Sequence, residues 1–320
     1  MRCEGQRRVA AWLQNATIED YTAAIVQRQN AGLWHRMSWV RPPLAAPILP
    51  DRIVSPRPLP RPTVSSASRV HVGTSGWAYA SWKPGFYPPT VPAKKFLEYY
   101  AGRLNSVEVN YTFTKLPTSA MVAGWLAAAA GDFSFSFKAP RRVTHTLRLR
   151  NCGGALAAFA AALGPVAQAG RMGLVLLQLP PNFKADSGRL EGFLTDAEGT
   201  APGLRMAVEF RHLSWFTEET YAVLRAHGAA LCIAESDALT TPDVATAPFC
   251  CYRFRKNIYS ARALSAIAKK LRERGGDVFA YFKHEEEPTG ALWAVETLKR
   301  LGVGPARPTA GKRLAGKRPR

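Results

Sequence analysis

Charged residues that could carry out acid–base chemistry recur where short hydrophobic segments of this 320-residue chain end. Glu108, Lys138 and Glu209 supply carboxylate and amine groups, which can accept or donate protons. His145 follows Lys138 by seven residues and adds an imidazole. Arg211 follows Glu209 by two residues and could hold a phosphate or carboxylate group through paired hydrogen bonds. These four residues and His145 predict a site that binds an anion and moves a proton.

Further polar and aromatic residues follow the same hydrophobic segments and are candidates for contacts with a substrate. Arg211 and Arg253, together with Lys138, would hold the anionic group of the substrate. Glu108 or Glu209 would act as the general base, with His145 as its partner. The predicted catalytic residues are Glu108, Lys138, His145 and Glu209. The predicted substrate-binding residues are Trp77, Tyr79, Asn110, Gln178, Arg211, Asp237 and Arg253.

Eight hydrophobic segments with the length of β-strands place these residues along the chain. Most of them are followed by a helical pattern, and alternating strands and helices predict an all-parallel sheet. Eight such units predict a closed TIM-type (β/α)8 barrel of the α/β class, whose active sites lie at the carboxyl ends of the strands. The segments are Val70–Gly73, Ser106–Asn110, Phe133–Lys138, Gly173–Pro180, Arg205–Arg211, Ala229–Glu235, Phe249–Arg255 and Asp277–Lys283.

Helical periodicity or strong helix formers occupy six of the connections between these segments and the stretch after the last one. The connection at 237–248 contains two prolines and no run long enough for a helix, which predicts a reduced sixth crossover. The expected helices are Lys94–Leu104, Ser119–Ala130, Ala155–Gln168, Leu190–Ala197, Thr217–His227, Ala261–Arg274 and Gly290–Leu301.

A period of two in three segments predicts which side chains face the barrel interior. In Phe133–Lys138 the three phenylalanines share one face, and Ser134, Ser136 and Lys138 share the other. The same alternation groups Glu108 with Asn110 and Glu209 with Arg211. We expect the apolar faces to contact the helices and the polar faces to line the barrel. Since a buried charge is costly unless it is paired, Glu108, Lys138, Glu209 and Arg211 should form a network at the mouth.

The net charge of +20 is concentrated at the two ends of the chain. Residues 1–68 are rich in proline and arginine, which predicts a disordered extension; residues 69–302 form the barrel, and the basic residues 303–320 form a second disordered tail. The moderately basic barrel suits a small-molecule or polymeric anionic substrate. The tails could make weak, non-specific contact with nucleic acid.

Cysteine usage and hydropathy indicate a cytoplasmic protein without a membrane segment. The five cysteines show no CxxC spacing, which is typical of reduced, buried thiols, and no apolar run reaches about 18 residues. The His284-Glu285-Glu286-Glu287 run contains metal-ligating residue types, but consecutive acids are more typical of a solvated turn. Neither a metal nor a cofactor is therefore expected.

Five short motifs in order resemble those of the YecE-like family, which is also termed domain of unknown function 72. The resemblance covers about residues 70–301 and implies a TIM-type barrel, but it names no activity. The motifs are Gly73-Thr74-Ser75-Gly76-Trp77 with Tyr79, Trp82 and Phe86-Tyr87-Pro88; Val107-Glu108-Val109-Asn110 with Thr112-Phe113; Phe137-Lys138-Ala139-Pro140 with Thr144-His145; Gln178-Leu179-Pro180-Pro181-Asn182-Phe183; and Glu209-Phe210-Arg211-His212 with Trp215.

The last two units of the chain depart from the family pattern. The seventh segment keeps Arg253, but it reads Phe254-Arg255-Lys256 where the family usually shows a His-Gly pair. The eighth segment is followed by Lys283-His284-Glu285 instead of an asparagine-rich turn. The chemistry of these two loops in this chain could therefore differ from that of the family.

Three functions are compatible with the sequence. The first is an enzyme acting on a phosphate- or carboxylate-bearing substrate at the barrel mouth. The second is a nucleic-acid-related protein such as a metal-dependent nuclease, which needs several histidine and carboxylate ligands. The third is a non-catalytic ligand-binding or scaffold barrel, since a fold by itself does not select among these functions.

Overall fold

A computed structural model of the chain describes residues 69–129, 131–236, 239–283 and 286–306. The predicted 1–68 extension and residues 307–320 of the predicted basic tail lie outside these described residues. Asp237, His284 and Glu285 also lie outside them.

Eight parallel β-strands confirm the eight predicted segments, with ends that differ from the prediction by one or two residues. Each strand is short and almost entirely buried, as expected for strands covered by helices. The strands are β1 (Val70–Thr74), β2 (Ser106–Val109), β3 (Ser134–Lys138), β4 (Met172–Gln178), β5 (Met206–Glu209), β6 (Ala230–Glu235), β7 (Cys250–Phe254) and β8 (Val278–Phe282).

The seven predicted helices are also present, and a short additional helix, α2, follows β2. Thr217 and Ser260 cap two of them by accepting a hydrogen bond from the backbone N–H three residues later. Within the described part of the sixth crossover there is no helix, as predicted. The helices are α1 (Phe96–Ala101), α2 (Tyr111–Thr114), α3 (Ser119–Ala128), α4 (Gly153–Gln168), α5 (Ser187–Thr200), α6 (Glu218–Ala226), α7 (Ala261–Glu273) and α8 (Thr289–Leu301).

None of these helices combines the length and apolar composition needed to cross a bilayer, as far as the described residues show.

The strands follow one another around a TIM-type barrel in the order β1-β8-β7-β6-β5-β4-β3-β2. Strands β1 and β8 pair in register from Val70 opposite Val278 to Thr74 opposite Phe282. The barrel closes where the backbone N–H of Gly76 donates to the carbonyl of Glu108 at 2.8 Å. Closure brings the carboxyl ends of all eight strands to one rim, which is where the predicted site residues lie.

Two side chains join β1 to β2 below this closing hydrogen bond. The Asn105 amide accepts from the N–H of Val72 at 2.7 Å and donates to the carbonyl of Val70 at 2.9 Å. The Tyr100 hydroxyl accepts from the N–H of Thr74 and donates to the carbonyl of Ser106 at 3.0 Å. Side chains thus replace the ladder hydrogen bonds that the two strands do not make directly.

The predicted inward and outward faces of the strands are confirmed by the packing. Phe135, Phe137 and Val208 belong to the large core between the strands and the helices. A separate, smaller core fills the barrel itself and consists of Leu174, Leu176, Ala207, Ala230, Cys232, Phe249, Cys251, Phe279 and Tyr281. Small polar residues occupy the same interior level as Tyr281, whose hydroxyl bonds Ser106 at 2.9 Å and Ser136 at 2.6 Å. The large phenol therefore fills the space that the serines leave open.

Candidate functional site at the barrel mouth

Six charged side chains meet at the carboxyl rim of the barrel, and we call them the mouth cluster: Glu108, Lys138, Glu209, Arg211, Arg253 and Arg255. Arg253, from β7, lies at their centre and is 2% exposed. Its Nε and Nη2 atoms donate to the two carboxylate oxygens of Glu108 at 2.9 and 2.8 Å. Its Nη1 donates to Glu209 Oε2. One guanidinium group thus bridges two buried carboxylates from opposite sides of the barrel.

Glu209 receives three more hydrogen bonds on its second oxygen, Oε1. Arg211 Nε and Gln178 Nε2 each donate to it at 2.9 Å, and Arg255 Nη1 donates at 3.2 Å. Burial disfavours the ionised form, but the charges of Arg253, Arg211 and Arg255 outweigh it and hold the pKa of Glu209 well below its usual range. A carboxylate held in this way is a weak base, which disfavours the predicted role of Glu209 as the general base.

Ser75 and Asn110 extend the hydrogen-bonded network towards β1 and β2. The Ser75 hydroxyl donates to Glu108 Oε1 at 2.6 Å and accepts from the Asn110 amide at 2.9 Å. Asn110 is therefore in the predicted site, although its buried Oδ1 atom has no hydrogen-bond partner within the part of the chain that the structure describes. Because both oxygens of Glu108 already accept hydrogen bonds, this carboxylate serves to position Arg253 and Ser75.

Lys138 lies beside these carboxylates but is not bonded to them, which corrects the predicted four-residue network. Its Nζ atom lies 4.0 Å from the centroid of the Phe113 ring, and no ion pair joins it to a carboxylate among the described residues. Arg253 takes the place that the prediction gave to Lys138. Burial and the nearby charge of Arg253 lower the pKa of Lys138 from 10.5 to about 8, against the opposing influence of Glu108 and Glu209.

His145 reaches the edge of the site through the same phenylalanine ring. It lies on the single π-helical turn Arg142–Thr146, and its imidazole packs edge-on against Phe113 with ring centroids 5.1 Å apart. Burial and the positive charges of Lys138 and Arg141 lower its pKa. The neutral imidazole therefore predominates at neutral pH, as a proton-transfer group requires.

Trp77 and Tyr79 support the loop after β1. Trp77 packs edge-on against Trp125 at 6.1 Å, and Tyr79 packs against Trp82 at 4.9 Å. The Tyr79 hydroxyl donates to the carbonyl of Ser75 at 3.0 Å. These contacts fix the loop that carries Ser75, and the role of the two aromatic residues in binding a substrate stays a prediction.

A cavity of about 210 Å³ opens beside Arg211 and Arg255. Thr241 lines it and is 2% exposed, and its hydroxyl has no hydrogen-bond partner among the described residues. The predicted binding residue Asp237 lies outside the described residues. The cavity is lined by Glu209, Phe210, Arg211, Ala234, Ser236, Leu239, Thr241 and Arg255.

Arg255, Ser75 and Phe113 complete the site but are absent from the predicted site residues. Arg255 could have been found from the sequence, because it lies two residues after Arg253 and so shares its inward face. Ser75 likewise follows the inward-facing Gly73 by two residues. Phe113 lies on helix α2, and no local pattern indicates that its ring contacts Lys138.

Among the described residues no group of three or more His, Cys, Asp or Glu side chains is arranged to hold a metal ion. The run at residues 284–287 lies partly outside those residues, so the expectation that it binds no metal stays a prediction.

The mouth cluster carries an excess of positive charge. Arg253 is occupied by the two glutamates, whereas Arg211, Arg255 and Lys138 add three further cations. Arg211 and Arg255 are about a quarter exposed, so part of each guanidinium group faces the opening of the barrel. The arrangement can therefore accept an anion without breaking the central pairs.

Comparisons with known proteins agree with the sequence motifs. Residues 71–315 match the family model described as "Protein of unknown function DUF72". Over 151 residues the chain is 30% identical to the UPF0759 protein YecE of Escherichia coli K12, covering 47% of this chain and 51% of YecE. It is 25% identical over 167 residues to the UPF0759 protein YunF of Bacillus subtilis 168, covering 50% and 58% of the two chains. The chain thus spans about half the length of the curated relatives it matches.

A solved structure extends the similarity over the whole barrel. The crystal structure of the DUF72 family protein TM1631 from Thermotoga maritima superposes with a TM-score of 0.65 at 27% identity. The superposition covers 73% of this chain and 99% of TM1631.

Proposed function

This chain belongs to the DUF72 family, and we propose that its barrel mouth binds a small molecule carrying a phosphate or carboxylate group and acts on it by acid–base chemistry. The observation that carries this proposal is the charge of the mouth cluster, in which four cations meet two carboxylates. In a partly buried site such an excess attracts an anion more strongly than it would in water.

Arg211 and Arg255 would hold the anionic group. Both donate to one oxygen of Glu209 and retain further N–H donors, because a guanidinium group has five. Thr241 also lines this cavity, and its buried hydroxyl has no hydrogen-bond partner among the described residues. At about 210 Å³ the cavity suits a small ligand, since drug-sized ligands occupy roughly 300–1,000 Å³.

Lys138 is the best-placed group for proton transfer. Its pKa of about 8 lies close to neutrality, which is where a general acid or base works best. The guanidinium groups cannot take this role, because arginine stays protonated in proteins. The geometry therefore favours Lys138 over Glu108 and Glu209, with His145 as a second proton carrier at the edge of the site.

Replacing Arg211 and Arg255 with glutamine should weaken the binding of inorganic phosphate by about 100-fold. Each lost charge-assisted hydrogen bond contributes about 1.5–3 kcal/mol, and 1.4 kcal/mol corresponds to a tenfold change in Kd. Isothermal titration calorimetry measures the affinity, and urea unfolding checks that the variant folds.

The matched control removes two positive charges from the exposed side of α7 through Arg262→Gln and Lys269→Gln. This control should bind phosphate like the unmodified protein. An equal loss of phosphate affinity in the two double variants would mean that phosphate binding depends only on net charge, and the proposed site would be wrong.

A further inference from the structure

Lys138 is a half-buried amine that has no carboxylate as a direct partner among the described residues. The two nearby acids, Glu108 and Glu209, already accept hydrogen bonds from Arg253, and Glu209 accepts two more from Arg211 and Arg255. The Nζ atom lies over the face of the Phe113 ring, 4.0 Å from its centroid. The protonated form of Lys138 is therefore not stabilised by an ion pair with a described residue.

Positive charges face Lys138 from several elements of the barrel. Arg253 on β7 and Arg211 after β5 disfavour the ammonium form, whereas Glu108 on β2 and Glu209 on β5 favour it. His145, on the turn after β3, is electrostatically coupled to Lys138 and is itself shifted towards its neutral form. The sum of burial and these charges places the pKa of Lys138 at about 8, so a neutral amine is available close to physiological pH.

We propose that the Nζ atom of Lys138 is a nucleophile that forms an imine with a carbonyl compound bearing a carboxylate or phosphate group. The inference rests on the proposed function, because Arg211 and Arg255 would hold the anionic group of the compound that reacts with Nζ. Lysine amines that are desolvated or placed beside another cation are activated for this reaction.

The reaction needs no oxidant, reductant or cofactor. The lone pair of the neutral amine forms an N–C bond with the carbonyl carbon, and the C=O π electrons move to the oxygen. The oxygen then leaves as water together with the two protons that Nζ carried, which gives the imine. His145, which packs edge-on against the same Phe113 ring, would carry one of these protons.

Reductive trapping of the full-length protein tests the proposal. Glyoxylate is the carboxylate probe, glycolaldehyde phosphate the phosphate probe and propanal the uncharged probe, each with cyanoborohydride and peptide mapping by mass spectrometry. At pH 8 about half of Lys138 is neutral, against less than about 1% of an ordinary lysine. We therefore expect Lys138 to be labelled at least tenfold faster than the exposed Lys269, with a rate that rises to a plateau above about pH 8.

Two variants separate this inference from anion binding. Lys138→Met should lose the label, and Arg255→Gln should slow labelling by the anionic probes but not by propanal. If phosphate binds the unmodified protein while Lys138 reacts no faster than Lys269, the proposal that Lys138 is a nucleophile is wrong, and the proposed anion-binding site is retained. If phosphate does not bind and the anionic probes react no faster than propanal, both proposals are wrong.

Discussion

Arg253→Met should destabilise the barrel by about 3–5 kcal/mol, because it removes the shared partner of two buried carboxylates. The side chains of Glu108, Glu209 and Arg253 are 0%, 1% and 2% exposed, so water cannot replace the lost hydrogen bonds. Methionine approximates the length of the arginine side chain without its charge. Urea denaturation monitored by circular dichroism measures the free energy of unfolding.

Two further variants identify the cause of that loss. Arg262→Met, on the exposed side of α7, makes the same substitution outside the mouth and should change stability by less than about 0.5 kcal/mol. Adding Glu108→Gln to Arg253→Met should recover part of the stability, since one unpaired buried charge is removed. No recovery in the double variant would show that lost packing, rather than the stranded carboxylates, dominates.

Gly73→Ala should destabilise the barrel by about 3 kcal/mol or more, because β1 and β2 approach too closely at this position for a side chain. A Cβ atom on Gly73 would lie 1.9 Å from the carbonyl oxygen of Ser106 and 2.9 Å from the Tyr100 hydroxyl. The backbone of one strand would have to move, which would break the hydrogen bonds that Tyr100 makes to both β1 and β2.

Gly124→Ala is the matched control for this substitution. Gly124 lies in α3 with no heavy atom within 4 Å of an added Cβ, so alanine should stabilise the helix by about 0.5–1 kcal/mol. Differential scanning calorimetry of the two variants should show shifts of opposite sign. A Gly73→Ala variant as stable as the unmodified protein would mean that β1 and β2 lie farther apart at Gly73 than in this structure.

The alternation of residue types in the strands was enough to predict the faces of the barrel. In β3 the three phenylalanines and the Ser134, Ser136 and Lys138 series fall on opposite faces because strand geometry leaves no other arrangement. The eight strands and their carboxyl ends follow from the lengths and positions of the hydrophobic segments. The same positions predict a site at the rim, and the structure brings Glu108, Glu209, Arg211 and Arg253 together there.

The partners within the site could not be predicted in this way. Arg253 and Glu108 are separated by 145 residues, and only the closure of the barrel brings them together. A longer arginine on the opposite wall reaches both glutamates, which leaves Lys138 against Phe113 instead of in the network. The hydrogen bonds by which Tyr100 and Asn105 join β1 to β2 could not be predicted for the same reason. They depend on how two elements pack together and not on the sequence pattern of either element.

The position of a bound oxyanion tests the central claim most directly. Crystals soaked in selenate locate the ion by its anomalous scattering, and the Arg211→Gln/Arg255→Gln variant serves as the control. The account predicts selenate within hydrogen-bond distance of the Arg211 and Arg255 guanidinium groups in the unmodified protein and its absence from the variant. Selenate bound only at surface arginines such as Arg262, with an unoccupied mouth, would contradict it.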